Sequence, residues 1–329
     1  MRNVPPFVTR SANRESIGFD RLAALLPVIA LALVGGGMRA FWMIFAAGAA
    51  AAAVEGVFFL IAARARFSVM PIAIGLSVAL VCPLSAPIAM VAAGSAVAAA
   101  VYDLCLHFRR SFFVSPAALA WLLLLLIAPG VMTSFPAYDS LKALPPLRTP
   151  DSFDAGFSIL ADLAGNVLPN LSVSDLLLGR VAGGFGSAAV LGSALALVYL
   201  GVRKSAAWES AVSLILTVLC LTLLVRRMAV SAVIYALLEL SGGSLLFGAV
   251  FMASDFSAPK TRAMRILYGV ICGYGMVEMR MVGFGEFSVP FVIVSTGILL
   301  RLAEWGLYRL ALCRKNRQER SESKDRKAE

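Results

Sequence analysis

Charge is scarce in this chain. Asp, Glu, Lys and Arg make up 15% of its 329 residues, where a soluble domain carries about 25%. Histidine is scarcer, with His107 standing alone, and the five cysteines (Cys82, Cys105, Cys220, Cys272 and Cys313) form no CxxC and no metal-ligand spacing. The first absence excludes a soluble enzyme and a solvated, disordered chain. The second excludes a polyhistidine metal or haem site and a thiolate-held iron–sulfur cluster. The formal charge of +10 invites nucleic acid, but the basic residues lie between long apolar runs and build no polar face, which excludes that as well. Four of the cysteines sit inside apolar stretches and read as small packing residues.

What the chain has in abundance is apolar sequence, 60% of all residues. A helix crossing the hydrocarbon core needs about 20 mostly apolar residues, and stretches near 22–37, 40–63, 67–83, 85–105, 117–134, 187–203, 208–225, 229–252, 264–281 and 288–312 suit that role. These predict an all-α polytopic membrane protein of about ten helices. Cys82-Pro83-Leu84-Ser85-Ala86-Pro87 supplies a turn inside the apolar region 67–105, because neither proline continues a helix. The chain then divides into an N-terminal arm 1–21, a first membrane half 22–134, a loop 135–186, a second membrane half 187–312 and a basic tail 313–329. Five helices per half is the odd number that an inverted-topology repeat requires.

Orientation follows from the short basic loops. Arg2, Arg10, Arg14 and Arg21, then Arg64 and Arg66, Arg109 and Arg110, Arg203 and Lys204, Lys260, Arg262 and Arg265, and the tail from Arg314 onward fall in every second loop and so on one side. They place both termini in the cytoplasm and 135–186 outside, in a cell (inner) membrane. Arg226-Arg227 departs from this alternation. Arg10, Arg14 and Asp20 precede the first apolar run, so the start does not read as a signal peptide. The long loop is either a plain extracytoplasmic connection with a short amphipathic helix near 154–164, or a site carried on a rigid scaffold.

Ionisable residues inside apolar stretches are functional candidates by default. Glu55 stands in the second stretch, and either handles a cation or proton or meets a partner elsewhere in the bundle. Glu239, Glu278 with Arg280, and Arg301 with Glu304 follow in the later stretches. The last two pairs read as interfacial charges or as paired structural ones. Glycine is concentrated in Gly179–Gly186 and in Ser241-Gly242-Gly243, where the spacing suits either broken helices or tight packing through small residues.

Several stretches in order resemble the RnfD/NqrB family, and RnfD more closely. Pro6-Phe7-Val8 and Leu22–Pro27 are similar to its opening SPH and ALLP, and Glu55 matches its glutamate of the second helix. Phe113–Ala117 and Pro129–Ser134 resemble FNPA and FPxxMT. Asp175–Gly179 with Gly183–Gly186 resembles DLFLGxxPGSIGE, and Leu240–Gly243 through Asp255 resembles HLLSGGxxLGAFFMATDPVT. Arg265–Gly269 follows like GRxxFG. The resemblance implies a urea-transporter-like, five-plus-five inverted bundle. It implies a subunit of an Rnf-type complex that passes electrons through flavin and couples them to Na+ or H+ movement.

In that family FMN is esterified by a flavin transferase to a Thr of D-x-x-[ST]-G-A-T. Aligned on Asp139, Pro145 takes the flavin position; aligned on Thr149-Pro150, Thr149 is the acceptor, with Ala143 for Asp and Arg148 for Ala. The family Glu after Gly186 is Ser187 here. The positions carried over are Thr149, Arg148, Gly183, Gly186 and Asp255 for cofactor binding and Glu55 for ion coupling, with a second, non-covalent flavin as a further expectation. The implied partners are the other complex subunits, the transferase, Na+ or H+ and the lipid bilayer. Two other functions stay open on the residues: a transporter or channel of the same fold without redox chemistry, and a structural anchor for redox partners.

Overall fold

In the computed structural model, residues 14–61, 67–107, 114–138, 141, 144–150, 154–156, 159–164, 172–224, 231–255, 258–259 and 261–325 are described. Arg2, Pro6-Phe7-Val8, Arg10, Arg64, Arg66, Arg109, Arg110, Phe113, Asp139, Arg226, Arg227 and Lys260, all named above, lie outside them.

The apolar stretches are helical. Helix α1 (Arg14–Ile61) holds the first two, α2 (Met70–Val81) and α3 (Ile88–His107) follow, and α4 (Pro116–Ile127) runs into the single turn α5 (Pro129–Met132). The second half holds α8 (Val190–Arg203), α9 (Trp208–Leu224), α10 (Ala232–Ser241), α11 (Leu245–Gly248) with a π turn Ala249–Ala253, α12 (Arg262–Val282) and α13 (Ser288–Asp325). Among the described residues four segments are long and apolar enough to cross a membrane: Glu15–Ile61, Ile88–Leu106, Val233–Ala253 and Gly285–Ala303. The all-α expectation holds. The sole described sheet is a two-residue ladder, β1 (Phe135–Pro136) against β2 (Ala155–Gly156).

Helix α1 is a hairpin. Gly18 lies 3.1 Å from the Met70 amide by its Cβ direction, and the Glu55 carboxylate accepts the Ser68 N–H at 2.8 Å. A straight helix would hold residues 18 and 55 about 55 Å apart, so both reach the start of α2 only because the chain reverses. It does so at Gly37, whose φ of 58° and ψ of −142° suit glycine. The end holding Gly18, Glu55 and Met70 is called the lower end below. The upper end holds Gly36, whose Cβ direction meets Leu84, and Gly35, which faces Tyr138.

The described parts of the loop 135–186 pack at the upper end and hold more structure than expected. The helix predicted near 154–164 is shorter, α6 (Ile159–Ala164), because Ala155 and Gly156 pair with Pro136 and Phe135 instead. A second short helix, α7 (Val173–Leu178), opens on Ser172, whose hydroxyl accepts the Asp175 N–H, and closes on the left-handed Gly179.

At the lower end consecutive residues stitch the halves together. Asp20 accepts from Arg203 at 2.8 Å, and Arg21 pairs with Asp255 at 2.7 Å. The Ala207 N–H donates to the Ser254 carbonyl at 3.0 Å, which closes this end around α8 and the π turn.

Candidate functional site at two broken helices

Two apolar stretches stop short of a full helix, and the structure brings the two breaks together. The first is where α2 ends at Val81 and the prolines forbid continuation. The second is Gly242–Ser244 between α10 and α11, where Gly243 (φ 59°) and Ser244 (φ 56°) are both left-handed. Between them passes the glycine-rich segment. Gly186 and Ser187 donate their N–H groups to the Leu80 carbonyl at 3.0 Å each, and Phe185 donates to the Cys82 carbonyl at 3.2 Å. Ser187 and Ser244 hydroxyls meet at 2.5 Å. Ending a helix strands carbonyls that need donors, and the glycine segment provides part of them.

The glycines are there for close approach. A Cβ on Gly184 would meet the Val81 carbonyl, and one on Gly186 would overlap Leu80. Gly183 and Gly186, expected together at a cofactor, thus separate in role. Gly183 lines an open cavity and Gly186 packs against α2.

Each break is completed by one arginine. Arg39, 1% exposed just beyond the Gly37 reversal, donates Nε to the Leu84 carbonyl and Nη2 to that of Ala86 at 2.9 Å. Its Nη1 donates to the carbonyls of Pro145 at 2.7 Å and Arg148 at 2.6 Å. One guanidinium therefore fixes both the first break and the loop that carries Thr149. Sequence reasoning passed over Arg39. The available signal was an arginine set between two apolar runs beside Gly35-Gly36-Gly37.

Arg280 completes the second break. Its Nη1 donates to the Glu239 carbonyl at 2.7 Å and to the Glu239 carboxylate at 2.6 Å, and its Nη2 to the Gly242 carbonyl at 2.8 Å. This corrects the expected Glu278–Arg280 pair. Residues two apart on a helix do not face each other, whereas the end of α10 presents Glu239 directly to α12. Tyr235 adds a hydroxyl donor to Glu239 at 3.3 Å. Glu278 instead accepts from Tyr274, four residues earlier on the same helix. The side chain of Glu304 lies outside what is described.

The other expected site residues are dispersed. Thr149 and Arg148 are exposed at the upper end, in a non-helical segment anchored by Arg39. Asp255 is engaged at the lower end, by Arg21 and by the Ser115 hydroxyl at 3.2 Å. Glu55 is fully buried, also at the lower end, where it holds the first turn of α2 through Ser68.

Beside the Arg39-held loop lies the larger cavity, about 620 Å³ with its open mouth, lined by Gly35, Gly36, Tyr138, Arg180, Gly183 and Phe185 among others. A smaller one, about 220 Å³, lies under the second break, bordered by Gly183, Ser241, Gly243, Ser244 and Glu286. Among the described residues no group of three His, Cys, Asp or Glu side chains is placed to hold a metal ion.

A sequence model of the NQR2, RnfD, RnfE family matches residues 2–300. The chain is 25% identical over 319 residues to the D subunit of the Na+-translocating ferredoxin:NAD+ oxidoreductase complex of Acetobacterium woodii, covering 92% of this chain and 93% of that one. It is 27% identical over 292 residues to the D subunit of the ion-translocating oxidoreductase complex of Methanosarcina acetivorans, covering 88% and 86%.

Proposed function

The chain belongs to the NQR2, RnfD, RnfE family, and from that premise we propose that it is the membrane-embedded D subunit of an Rnf-type electron-transport complex. In this reading it carries FMN on the outer face and works with other subunits to couple electron flow to Na+ or H+ movement across the cell membrane. The lower end then faces the cytoplasm and the ten helical stretches cross the bilayer. The observation that carries the reading is the end-to-end match to two D-subunit relatives, each covered over more than four fifths of its length.

The residues at the upper end fit a flavin phosphate. Thr149 offers an exposed hydroxyl on extended chain, and Pro150 behind it disfavours helix there. Arg39 holds the carbonyls on either side of Pro146-Leu147, so the segment is presented and not loose. Arg148 is exposed next to Thr149, where a guanidinium can pair with a phosphate. The cavity beside this segment is lined by glycine backbone at Gly35, Gly36 and Gly183 and by the rings of Tyr138 and Phe185, a surface against which a flat ring can pack. Flavin supplies the one- and two-electron carrier chemistry when bound. This chain's part is to bind, orient and shield it.

The test is co-expression with a flavin transferase and in-gel flavin fluorescence. Wild type should fluoresce after denaturing electrophoresis, and Thr149→Val, which keeps the shape without the hydroxyl, should not. A second reading, a transporter of the same fold, draws on the two broken elements that meet at 184–187. Solute flux in liposomes by a flavin-free protein would favour it.

A further inference from the structure

The second break holds a charge imbalance that the flavin reading does not use. Gly283 (φ 100°) ends α12, and a 3₁₀ turn over Gly285–Phe287 carries Glu286 back toward the break. The Ser288 hydroxyl fixes this turn by donating to the Gly285 carbonyl at 2.7 Å. The Glu286 carboxylate lies 3.4 Å, and the Arg280 Nη2 3.1 Å, from the Cβ direction of Gly243. Arg280 directs four of its five N–H donors to Glu239, the Gly242 carbonyl and Ser288. Among the described residues no donor hydrogen-bonds Glu286, and it borders the smaller cavity.

Two carboxyl groups and one guanidinium therefore meet here, and with both carboxyls ionised they carry a net charge of −1. Half-buried beside this turn, the Glu286 carboxylate is costly to leave without a further counter-charge. Asp162 sits on α6, which packs over the same turn, and it adds no positive charge; burial pushes its carboxyl upward. Besides Glu286, the cavity is lined by the oxygens of Ser241, Ser244 and the glycine backbone, with Ile159, Val181, Ala182 and Ala188 closing its apolar side. Ser244 is held by Ser187, and a hydroxyl that donates or accepts once keeps further lone pairs. Carboxylate, hydroxyl and carbonyl oxygens are hard ligands and suit hard cations. One unit of positive charge restores neutrality; a divalent ion would overshoot.

We propose that the cavity between the Gly242–Ser244 break and the Gly183-Gly184 backbone binds one small alkali cation, with the Glu286 carboxylate and the Ser244 hydroxyl among its ligands. This rests on the ion-translocating reading and names within it a site distinct from Glu55 and Asp255. The left-handed Gly243 and Ser244 are what turn the backbone and hydroxyl toward that space.

The test is binding of radiolabelled sodium to the purified full chain in detergent, with choline as the inert cation. Wild type should bind sodium saturably, and Glu286→Gln should weaken it by about tenfold or more. Ser244→Ala and Glu286→Asp should weaken it less, and Asp20→Asn, which removes an ion pair at the lower end, should leave it unchanged. Undiminished binding in Glu286→Gln, or no binding in wild type, overturns the site. If Glu286→Gln fails to fold, unchanged affinity in both milder variants does the same. Loss of flavin with sodium binding kept would count against the electron-transport reading and not the site; flavin and pumping without binding at Glu286 would do the reverse.

Discussion

At the first break the chain turns through two prolines, and Arg39 gives its donors to four carbonyls drawn from two distant segments. At the second it turns through two left-handed residues, and Arg280 serves two carbonyls while also meeting the Glu239 carboxylate. The same side chain solves the same problem, stranded helix-end carbonyls in an apolar surrounding. The electrostatic remainder differs. Among the described residues Arg39 meets carbonyl dipoles and leaves a positive field behind the Thr149 loop. Arg280 is neutralised by Glu239, and Glu286 then leaves a negative one. A positive region under an exposed hydroxyl suits an anionic flavin phosphate, and a negative oxygen-lined cavity suits a cation. Two chemistries can thus share one scaffold, because each break is repaired with a different charge balance.

Removing Arg280 strains this contrast most. Arg280→Met strands the buried Glu239 carboxylate together with two carbonyls, and losing one partner of a buried pair costs about 3–5 kcal/mol. Thermal unfolding in detergent should show it as the largest loss of the series, and adding Glu239→Gln should recover part of it.

Arg39→Met comes next. It strands no carboxylate, but it leaves buried carbonyls without donors at about 1–3 kcal/mol for each that water cannot reach. The effect should be local, with limited proteolysis opening the 144–150 segment and flavin attachment falling while the rest of the bundle stays folded. Arg39→Lys should rescue little, since one ammonium does not reproduce the planar fork.

Much of this architecture was legible before any coordinates. The apolar runs marked the helical stretches, the interval between 22–37 and 40–63 separated the arms of the hairpin, and Pro83, Pro87 and Gly242-Gly243 marked candidate breaks, because local backbone chemistry decides where a helix stops. The pairings were not legible. Arg39 bonds residues more than 100 positions away, and Arg280 finds Glu239 41 positions back, so only the folded topology creates those contacts. Glu286 was missed for the same reason, standing in an unremarkable turn until the fold sets it beside Gly243. Glu55 was singled out by its apolar neighbours, but they could not reveal that it sits at a helix end and holds Ser68.

Smaller effects belong to the lower end, away from both breaks. Asp20→Asn removes a pair whose Arg203 side chain is 40% exposed, so solvent screening should hold the loss to about 1 kcal/mol or less. Glu55→Gln keeps the volume and an oxygen that accepts the Ser68 N–H, so the bundle should still fold. Ion movement coupled to electron flow in the reconstituted complex should nevertheless fall, and full coupling would reduce Glu55 to an anchor for α2.

Whether the upper end carries flavin is settled most directly by peptide mass spectrometry of the chain co-expressed with a flavin transferase. FMN, linked through its phosphate, should appear on the peptide containing Thr149 and be absent from Thr149→Val. Flavin on a peptide carrying Ser140 or Ser152 instead, or an unmodified chain throughout, would overturn the assignment.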